Sequence, residues 1–262
     1  MSTIHPTALV DSGAEIASGA RIGPWCQVGP GVRLDEDVEL VSQVIVERDT
    51  HIGARTQIHP FALIGGAPQH TGYKGEPVRL EIGTDNVIRE HATFNRGTPG
   101  GHGVTRVGSH NFFMTGAHVG HDCVVGDNIV FANQATLGGH AEVGDRVFLG
   151  GLSAVHQFGR VGTGAMVGGL AAVTRDVIPF GSVWGNHARL HGLNMVGLKR
   201  RGVEKAGLKA LLAFYRELFE GEGTFEARLE GVRARTDLPE EARTILAFIE
   251  AGGRRPLCLP EA

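Results

Sequence analysis

Residues 4–28 of this chain read IHPTALVDSGAEIASGARIGPWCQV, with an aliphatic side chain at every sixth position. The same register continues to Ile64 and, after two interruptions, extends as far as Val173. A period of six fits neither the turn of an α-helix nor the two-residue alternation of a strand. Six residues make one short strand and one turn, so three such units close a triangular coil whose aliphatic side chains point into the axis.

Glycine and small residues complete the repeat. Glycine accounts for 40 of the 262 residues, whereas its usual share is roughly 7%, and it often follows the aliphatic residue, as in Ile22-Gly23. We expect glycine to permit the bend at each corner. We therefore predict a mainly β fold, a left-handed parallel β-helix of hexapeptide repeats over residues 1–192, followed by a small C-terminal α-helical domain over residues 193–262. The left hand is that of the recognised form of this repeat and does not follow from the period.

Two segments interrupt the repeat, and both are predicted to be loops. They lie near residues 65–81 and 97–106 and are rich in glycine. Loops on a rigid scaffold commonly carry binding groups. Beyond the repeat, apolar residues at helical spacing predict three helices, over residues 203–220, 225–235 and 239–251.

Composition and charge exclude several classes of protein. The net charge of −3 excludes a strongly basic nucleic-acid binder, and no apolar run approaches the ~18 residues of a transmembrane segment. The chain begins without a basic and apolar leader, so no secretory signal is readable. The three cysteines have no C-x-x-C spacing, which argues against a disulfide framework and a structural zinc site. We expect a cytoplasmic protein.

A cluster of histidines is the strongest chemical signal. Three repeat units separate His121 from Gly139, so these two residues should stack on one ridge of the coil. A histidine is suited to act as a general base at neutral pH; Asp122 would orient its ring, and the amide of Gly139 would stabilise an oxyanion. Zinc ligation is the other role open to such a cluster. Four histidines belong to the predicted ridge: His118, His121, His140 and His156.

Other nucleophiles and phosphate-binding motifs are missing from the sequence. There is no G-x-S-x-G elbow, P-loop or dinucleotide-binding fingerprint. Cys123 occupies a small-residue position of the repeat, which favours burial over a role as nucleophile. Acyl transfer on this scaffold would therefore proceed by direct attack. Adjacent Arg200 and Arg201 follow the repeat and are suited to hold a diphosphate or an acidic partner.

The chain resembles the UDP-N-acetylglucosamine O-acyltransferases, which begin lipid A synthesis. The resemblance implies a homotrimer with active sites between neighbouring β-helices, and no metal or cofactor. It also implies transfer of a 3-hydroxyacyl group from acyl carrier protein to the 3-hydroxyl of UDP-GlcNAc or a close analogue. The matching segments are NRGT (95–98), AHVGHDC (117–123), ATLGGH (135–140), AVHQF (154–158), GNHA (185–188) and GLKRRG (197–202).

The resemblance also implies roles for individual residues. His121 is similar to the general base, Asp122 to its orienting partner and Gly139 to the oxyanion-stabilising amide. Gly169 matches the position that limits acyl length, and a glycine there implies a chain of about C12 to C14, because it leaves the groove open. Substrate contacts are implied for His118, His140, His156, Gln157, Asn194, Arg200 and Arg201, the last four on the nucleotide.

Three departures from the family pattern bear on the acceptor. His70 and Gly72 stand where the family carries an acidic and a basic sugar contact, and Val196 replaces a common glutamate. An alternative acceptor is therefore a 3-amino sugar nucleotide, which would give an amide.

Three other functions remain open on this scaffold. The first is a zinc enzyme of the γ-carbonic anhydrase type, although its histidine pair is spaced five apart and His118 and His121 are three apart. The others are a coenzyme-A-dependent acetyltransferase and a non-enzymatic repeat scaffold. Substitution of His121 would separate the scaffold from every enzyme.

Overall fold

Short strands stack into three sheets in the computed structural model, which describes residues 1–261. In chain order, the strands over these residues are β1 (Thr3–Ile4), β2 (Leu9–Val10), β3 (Glu15–Ile16), β4 (Arg21–Ile22), β5 (Gln27–Val28), β6 (Arg33–Leu34), β7 (Glu39–Leu40), β8 (Ile45–Val46), β9 (Thr50–Ile52), β10 (Gln57–Ile58), β11 (Leu63–Gly66), β12 (Arg79–Ile82), β13 (Val87–Ile88), β14 (Thr93–Asn95), β15 (Val104–Val107), β16 (Phe112–Phe113), β17 (His118–Val119), β18 (Val124–Val125), β19 (Val130–Phe131), β20 (Thr136–Leu137), β21 (Glu142–Val143), β22 (Phe148–Leu149), β23 (Ala154–Val155), β24 (Arg160–Val161), β25 (Met166–Val167), β26 (Ala172–Val173), β27 (Gly181–Trp184) and β28 (Arg189–Leu193).

Every third strand belongs to the same sheet, as a triangular coil requires. The first sheet runs from β1 through β4, β7 and so on to β25, β27 and β28; the second begins with β2 and the third with β3. Pairing is parallel except between β27 and β28, which form an antiparallel hairpin. The predicted left-handed parallel β-helix is confirmed.

The strand register shows where the two loops are inserted into the repeat. Thr3 pairs with Arg21, an offset of 18 residues, whereas Gln57 pairs with Val87, an offset of 30. The extra residues lie between the end of β11 and the start of β12. A second, smaller insertion lies between β14 and β15. The coils above and below keep their alignment because both insertions leave the prism at a corner.

The corners do not bend in the way that the repeat suggested. Within residues 1–261, eighteen non-glycine residues have positive φ, among them Trp25 at 61° and Asp122 at 59°. By contrast, Gly23 is needed for space, because a Cβ there would collide with the carbonyl oxygen of Val41 on the next coil. The expectation that glycine makes the bend is therefore wrong at this position: the turn residue two positions later adopts the left-handed conformation, and the glycine permits close stacking of coils.

The core is a continuous apolar column inside the prism. The aliphatic residues of the repeat are buried from Ile22 to Val173, and the phenylalanines Phe94, Phe113 and Phe131 stack within it with ring centroids 4.6–4.8 Å apart. Ile4 is exposed because no coil lies beneath the first one.

Four helices follow the prism over the described residues: α1 (Met195–Arg200), α2 (Lys205–Phe219), α3 (Phe225–Arg233) and α4 (Glu240–Glu250). The last three are the predicted ones. The sequence pattern missed α1 and the β27–β28 hairpin, which are too short to show a period. A division into two domains between residues 192 and 193 stays a prediction.

The segment after α4 returns to the prism. Cys258 donates its amide to the carbonyl of Asp176, and the amide of Asp176 donates to the carbonyl of Pro256. The Asp176 carboxylate is fully buried and accepts from Arg160 at 2.7 Å. Within residues 1–261, none of the helices combines the length and apolar character needed to cross a bilayer.

Candidate active site

His121 and Asp122 form the turn between the second and third sheets, directly after β17. Nδ1 of His121 lies 2.9 Å from Oδ2 of Asp122. Because an ionised carboxylate can only accept, Nδ1 carries the proton and Nε2 is left as a free acceptor. The side chain of His121 is 12% exposed and that of Asp122 is fully buried. The pair is therefore a preoriented base with its reactive nitrogen at the surface.

The loop between β14 and β15 covers Asp122. Thr98 donates to its carboxylate from both the backbone amide and Oγ1, the latter at 2.6 Å, and the amide of His102 donates at 2.8 Å. Burial alone would raise the pKa of the Asp122 carboxyl, but these hydrogen bonds and that from His121 outweigh it and lower the pKa. Asp122 is therefore a carboxylate at neutral pH despite its burial.

Gly139 lies against His121, as predicted. A Cβ on Gly139 would stand 2.5 Å from Cε1 and 2.6 Å from Nε2 of His121. Only glycine therefore leaves the basic nitrogen uncovered. Among the described residues, the amide of Gly139 has no hydrogen-bond acceptor, so it is free to donate to a ligand beside Nε2.

Two further histidines surround this pair. The rings of His121 and His140 lie 5.1 Å apart, edge to face, and Nδ1 of His118 lies 2.8 Å from Oγ1 of Thr93. Burial lowers the pKa of His118. Burial also lowers the pKa of His140; the Asp122 carboxylate opposes that effect, and nearby positive groups add to it. Both rings are therefore neutral at physiological pH and act as hydrogen-bonding groups.

His156 has different neighbours from the other three histidines. It lies on the next coil, and its Nδ1 is 2.7 Å from the guanidinium of Arg255. Gln157 on the same turn accepts from Arg255 through its backbone carbonyl. Of the four histidines on the predicted ridge, three therefore lie together, and His156 instead contacts the C-terminal segment.

Part of this cluster has side chains of the types that bind metal ions. Ligand atoms of His121, Asp122 and His140 lie within 4.8 Å of one another. However, donors from Thr98, His102 and His121 already occupy the Asp122 carboxylate. The donor set therefore fits a hydrogen-bonded base better than a zinc ion.

The buried thiol beside the site is not a nucleophile. Cys123 is fully buried and lies 3.2 Å from the carbonyl oxygen of Gly138. Burial raises the pKa of this thiol to about 12, so it stays protonated.

The remaining predicted residues lie elsewhere on the chain. Arg200, Arg201 and Asn194 line a groove of about 1000 Å³ on the first sheet, together with Arg146 and Trp184. That sheet is the face of the prism opposite the corner that carries His121. One chain therefore holds the predicted base and the predicted nucleotide clamp on different faces.

Asn194 has a structural task in this groove. Its Oδ1 accepts from the amide of Gly197 and caps α1, and its Nδ2 donates to the carbonyl of Gly164. The guanidinium of Arg201 lies 4.8 Å over the ring of Phe180. Asn194 thus fixes the helix that carries Arg200, and its contact with a nucleotide stays a prediction.

Gly169 lies at a different corner of the prism, between the first and second sheets. It is exposed, and a Cβ there would meet only the backbone of Gly151, at 3.3 Å. Leu152 and Leu170 beside it are 56% and 71% exposed. An open apolar strip therefore runs along this corner.

Comparison with known proteins identifies the family. Acyl-[acyl-carrier-protein]–UDP-N-acetylglucosamine O-acyltransferase from Caulobacter vibrioides is 58% identical over 259 residues, 99% of this chain and 98% of that protein. The enzyme of that name from Azorhizobium caulinodans is 56% identical over 260 residues, 99% and 96% of the two chains. The chain belongs to the UDP-N-acetylglucosamine O-acyltransferase family.

A family profile and a solved structure agree with this assignment. The profile described as "Udp N-acetylglucosamine O-acyltransferase; Domain 2" matches residues 176–258. The crystal structure of UDP-N-acetylglucosamine O-acyltransferase from Moraxella catarrhalis has a TM-score of 0.93 and 39% identity, covering 97% of this chain and 99% of that one. The resemblance inferred from the sequence is confirmed.

Sequence reasoning missed several residues around the acyltransferase base. Thr98 and His102 contact Asp122 from the loop after β14, and Thr105 in β15 accepts from the Asp122 amide. The ring of His70, which the resemblance placed only near the sugar, lies 5.7 Å from that of His121. The available signals were that both segments interrupt the repeat, that NRGT (95–98) matches the family and that His70 departs from it. Their backbone geometry, which brings these residues to the corner, is not encoded in the period.

Proposed function

We propose that this chain transfers a 3-hydroxyacyl group from acyl carrier protein to the 3-hydroxyl of UDP-GlcNAc, as the first step of lipid A biosynthesis. The observation that carries the proposal is the His121–Asp122 pair, with Nε2 free beside Gly139. The names of the relatives support the substrates, since they are acyl-acyl carrier protein and UDP-N-acetylglucosamine O-acyltransferases.

The reaction is a direct acyl transfer. Nε2 of His121 removes the proton of the sugar hydroxyl as its oxygen bonds to the thioester carbon. The carbonyl oxygen becomes an oxyanion, which the Gly139 amide stabilises. The tetrahedral intermediate then expels the carrier thiolate, which takes the proton from the His121 imidazolium. Asp122 holds the ring and stabilises its charge.

A homotrimer would bring the two separated groups together. The groove with Arg200 and Arg201 and the corner with His121 lie on different faces of one chain. A cyclic oligomer places the first-sheet face of one copy against the catalytic corner of the next. In that arrangement the two arginines and Asn194 reach the nucleotide, while His118, His140, His156 and Gln157 belong to the copy that supplies the base.

The exposed strip at Gly169 is suited to the acyl chain. With no side chain at Gly169 and with Leu152 and Leu170 beside it, an apolar chain of about C12 to C14 has room to lie along the corner. The acyl length stays a prediction.

The departures at His70, Gly72 and Val196 bear on the sugar. His70 lies against His121, and Val196 is 60% exposed at the groove. The relatives are named O-acyltransferases of UDP-GlcNAc, so the 3-amino acceptor is not favoured. A cytoplasmic location is supported by three free, buried cysteines.

The test is transfer from a mixture of 3-hydroxyacyl carrier proteins to UDP-GlcNAc, with the products weighed by mass spectrometry. A product with one acyl chain on the sugar is expected, and His121→Ala should reduce its rate at least about 1000-fold. His110→Ala removes an exposed corner histidine and is the matched control. A folded protein that gives no product with UDP-GlcNAc would overturn the proposal.

A further inference from the structure

The C-terminal segment brings two arginines to the catalytic ridge. Arg254 and Arg255 follow α4 by a few residues, and the residues after them are bonded to the prism through Asp176 and Leu190. The same Asp176 binds Arg160, whose guanidinium lies 4.2 Å over the ring of Phe248 in α4. The segment is therefore anchored on both sides of the arginine pair.

Arg254 stacks onto the histidine cluster through one phenylalanine. Its guanidinium lies 4.4 Å from the ring centroid of Phe158, and the Phe158 ring also stacks on His140, with ring centroids 4.5 Å apart. His140 is the neighbour of His121. A chain of ring contacts thus connects the base to the exposed guanidinium of Arg254.

Arg255 contacts the turn that carries Phe158. It donates Nε to the carbonyl of Gln157 at 3.1 Å and a terminal nitrogen to Nδ1 of His156 at 2.7 Å. Because arginine has no acceptor, Nδ1 of His156 must accept, so its proton is on Nε2. Nε2 of His156 therefore supplies an N–H donor beside Arg255.

Both guanidiniums keep their charge available. Within residues 1–261, the contacts of Arg254 and Arg255 are to an aromatic ring, a carbonyl and the accepting nitrogen of an imidazole. None of these neutralises the charge, and the third guanidinium nitrogen of Arg255 is left over. Two fixed guanidiniums beside an N–H donor match the oxygen pattern of a phosphate group.

We propose that Arg254 and Arg255 form a phosphate-binding site beside Gln157 and Phe158, two coils above His121, for a substrate of the acyl transfer. Both substrates of the proposed function, on which this inference rests, carry phosphate: the diphosphate of the sugar nucleotide, and the phosphodiester of the carrier's phosphopantetheine arm. The shared ligand chemistry is a phosphate group, which the site would hold while the reacting atoms meet at Nε2.

The experiment distinguishes the two possible sources of the bound phosphate group, the sugar nucleotide and the carrier protein. We would measure the KM of UDP-GlcNAc and of the acyl carrier protein separately in the double variant Arg254→Gln/Arg255→Gln. Titration calorimetry with uridine diphosphate and with 4′-phosphopantetheine gives the matching Kd values. Arg21→Gln, in the second coil of the prism, removes one exposed guanidinium far from the site and is the control.

One KM should rise about tenfold, with kcat within twofold, and the Kd of the corresponding probe should rise by a similar factor. Arg254→Lys/Arg255→Lys should retain only part of the affinity, because an ammonium keeps the charge but not the planar donor geometry of a guanidinium. Unchanged melting of each variant excludes misfolding. Both KM and both Kd values within twofold of the control would overturn the site. If wild-type protein gives no acyl transfer, the proposed function fails, and the calorimetric result still decides the phosphate site.

Discussion

The corner that carries His121 and the groove that carries Arg201 differ in how much of a site one chain supplies. At the corner, residues of the same chain position the base: Asp122 lies 2.9 Å from His121, and the Thr98 hydroxyl donates to the Asp122 carboxylate. In the groove, Arg200 is exposed and faces about 1000 Å³ of open space. One chain therefore positions the base by itself, whereas its groove is left open.

The largest loss of activity is expected when the Asp122 carboxylate, which orients the base, is removed. Asp122→Asn should lower kcat/KM about 1000-fold, because an amide can donate to Nδ1 of His121 and so favour the tautomer without a free Nε2. The new NH2 group would also face the donors of Thr98 and His102. Steady-state kinetics would measure the loss.

Asp85→Asn is the matched control for that variant. Asp85 is a corner residue with φ of 58° that pairs with Arg55 away from the site. A loss of activity in Asp122→Asn no greater than the loss in Asp85→Asn would show that the buried carboxylate does not assist the base.

A smaller change tests the open space beside Nε2. Gly139→Ala should lower kcat about 100-fold, because the new methyl would press on the ring that must accept the proton. Gly231→Ala on α3, where a Cβ meets nothing within 4 Å, should leave kcat unchanged. Full activity in Gly139→Ala would show that Nε2 is approached from another side.

The smallest expected effect is on stability at low pH. Burial lowers the pKa of His118 and of His140, so both take up protons more readily in the unfolded chain. Their contribution to stability is therefore complete above the unfolded pKa of about 6.5 and is lost as the pH falls through the lower folded values. The melting temperature of wild-type protein should fall more below pH 6.5 than that of His118→Gln/His140→Gln. An equal pH dependence of the melting temperature in the two proteins would contradict the neutral state assigned to His118 and His140.

The sequence determined much of the corner and little of its surroundings. The six-residue period places Gly139 over His121 because stacked coils transmit register directly. The covering of Asp122 by Thr98 and the contact of His70 with His121 depend on loop conformations that have no period. The role of glycine was misread for a related reason: composition reports how many glycines there are, whereas close stacking at Gly23 and positive φ at Trp25 are properties of the folded corner.

The most direct test of a shared site is subunit complementation. His121→Ala and Arg200→Gln/Arg201→Gln proteins would be purified separately, unfolded together, refolded as a mixture and assayed for acyl transfer. If the base and the arginines of one site come from neighbouring copies of a trimer, random mixing leaves about a quarter of the sites with both groups intact. The mixture should then recover about a quarter of wild-type activity, although each variant alone is nearly inactive. Activity no higher than the mean of the two variants would contradict a site completed between copies.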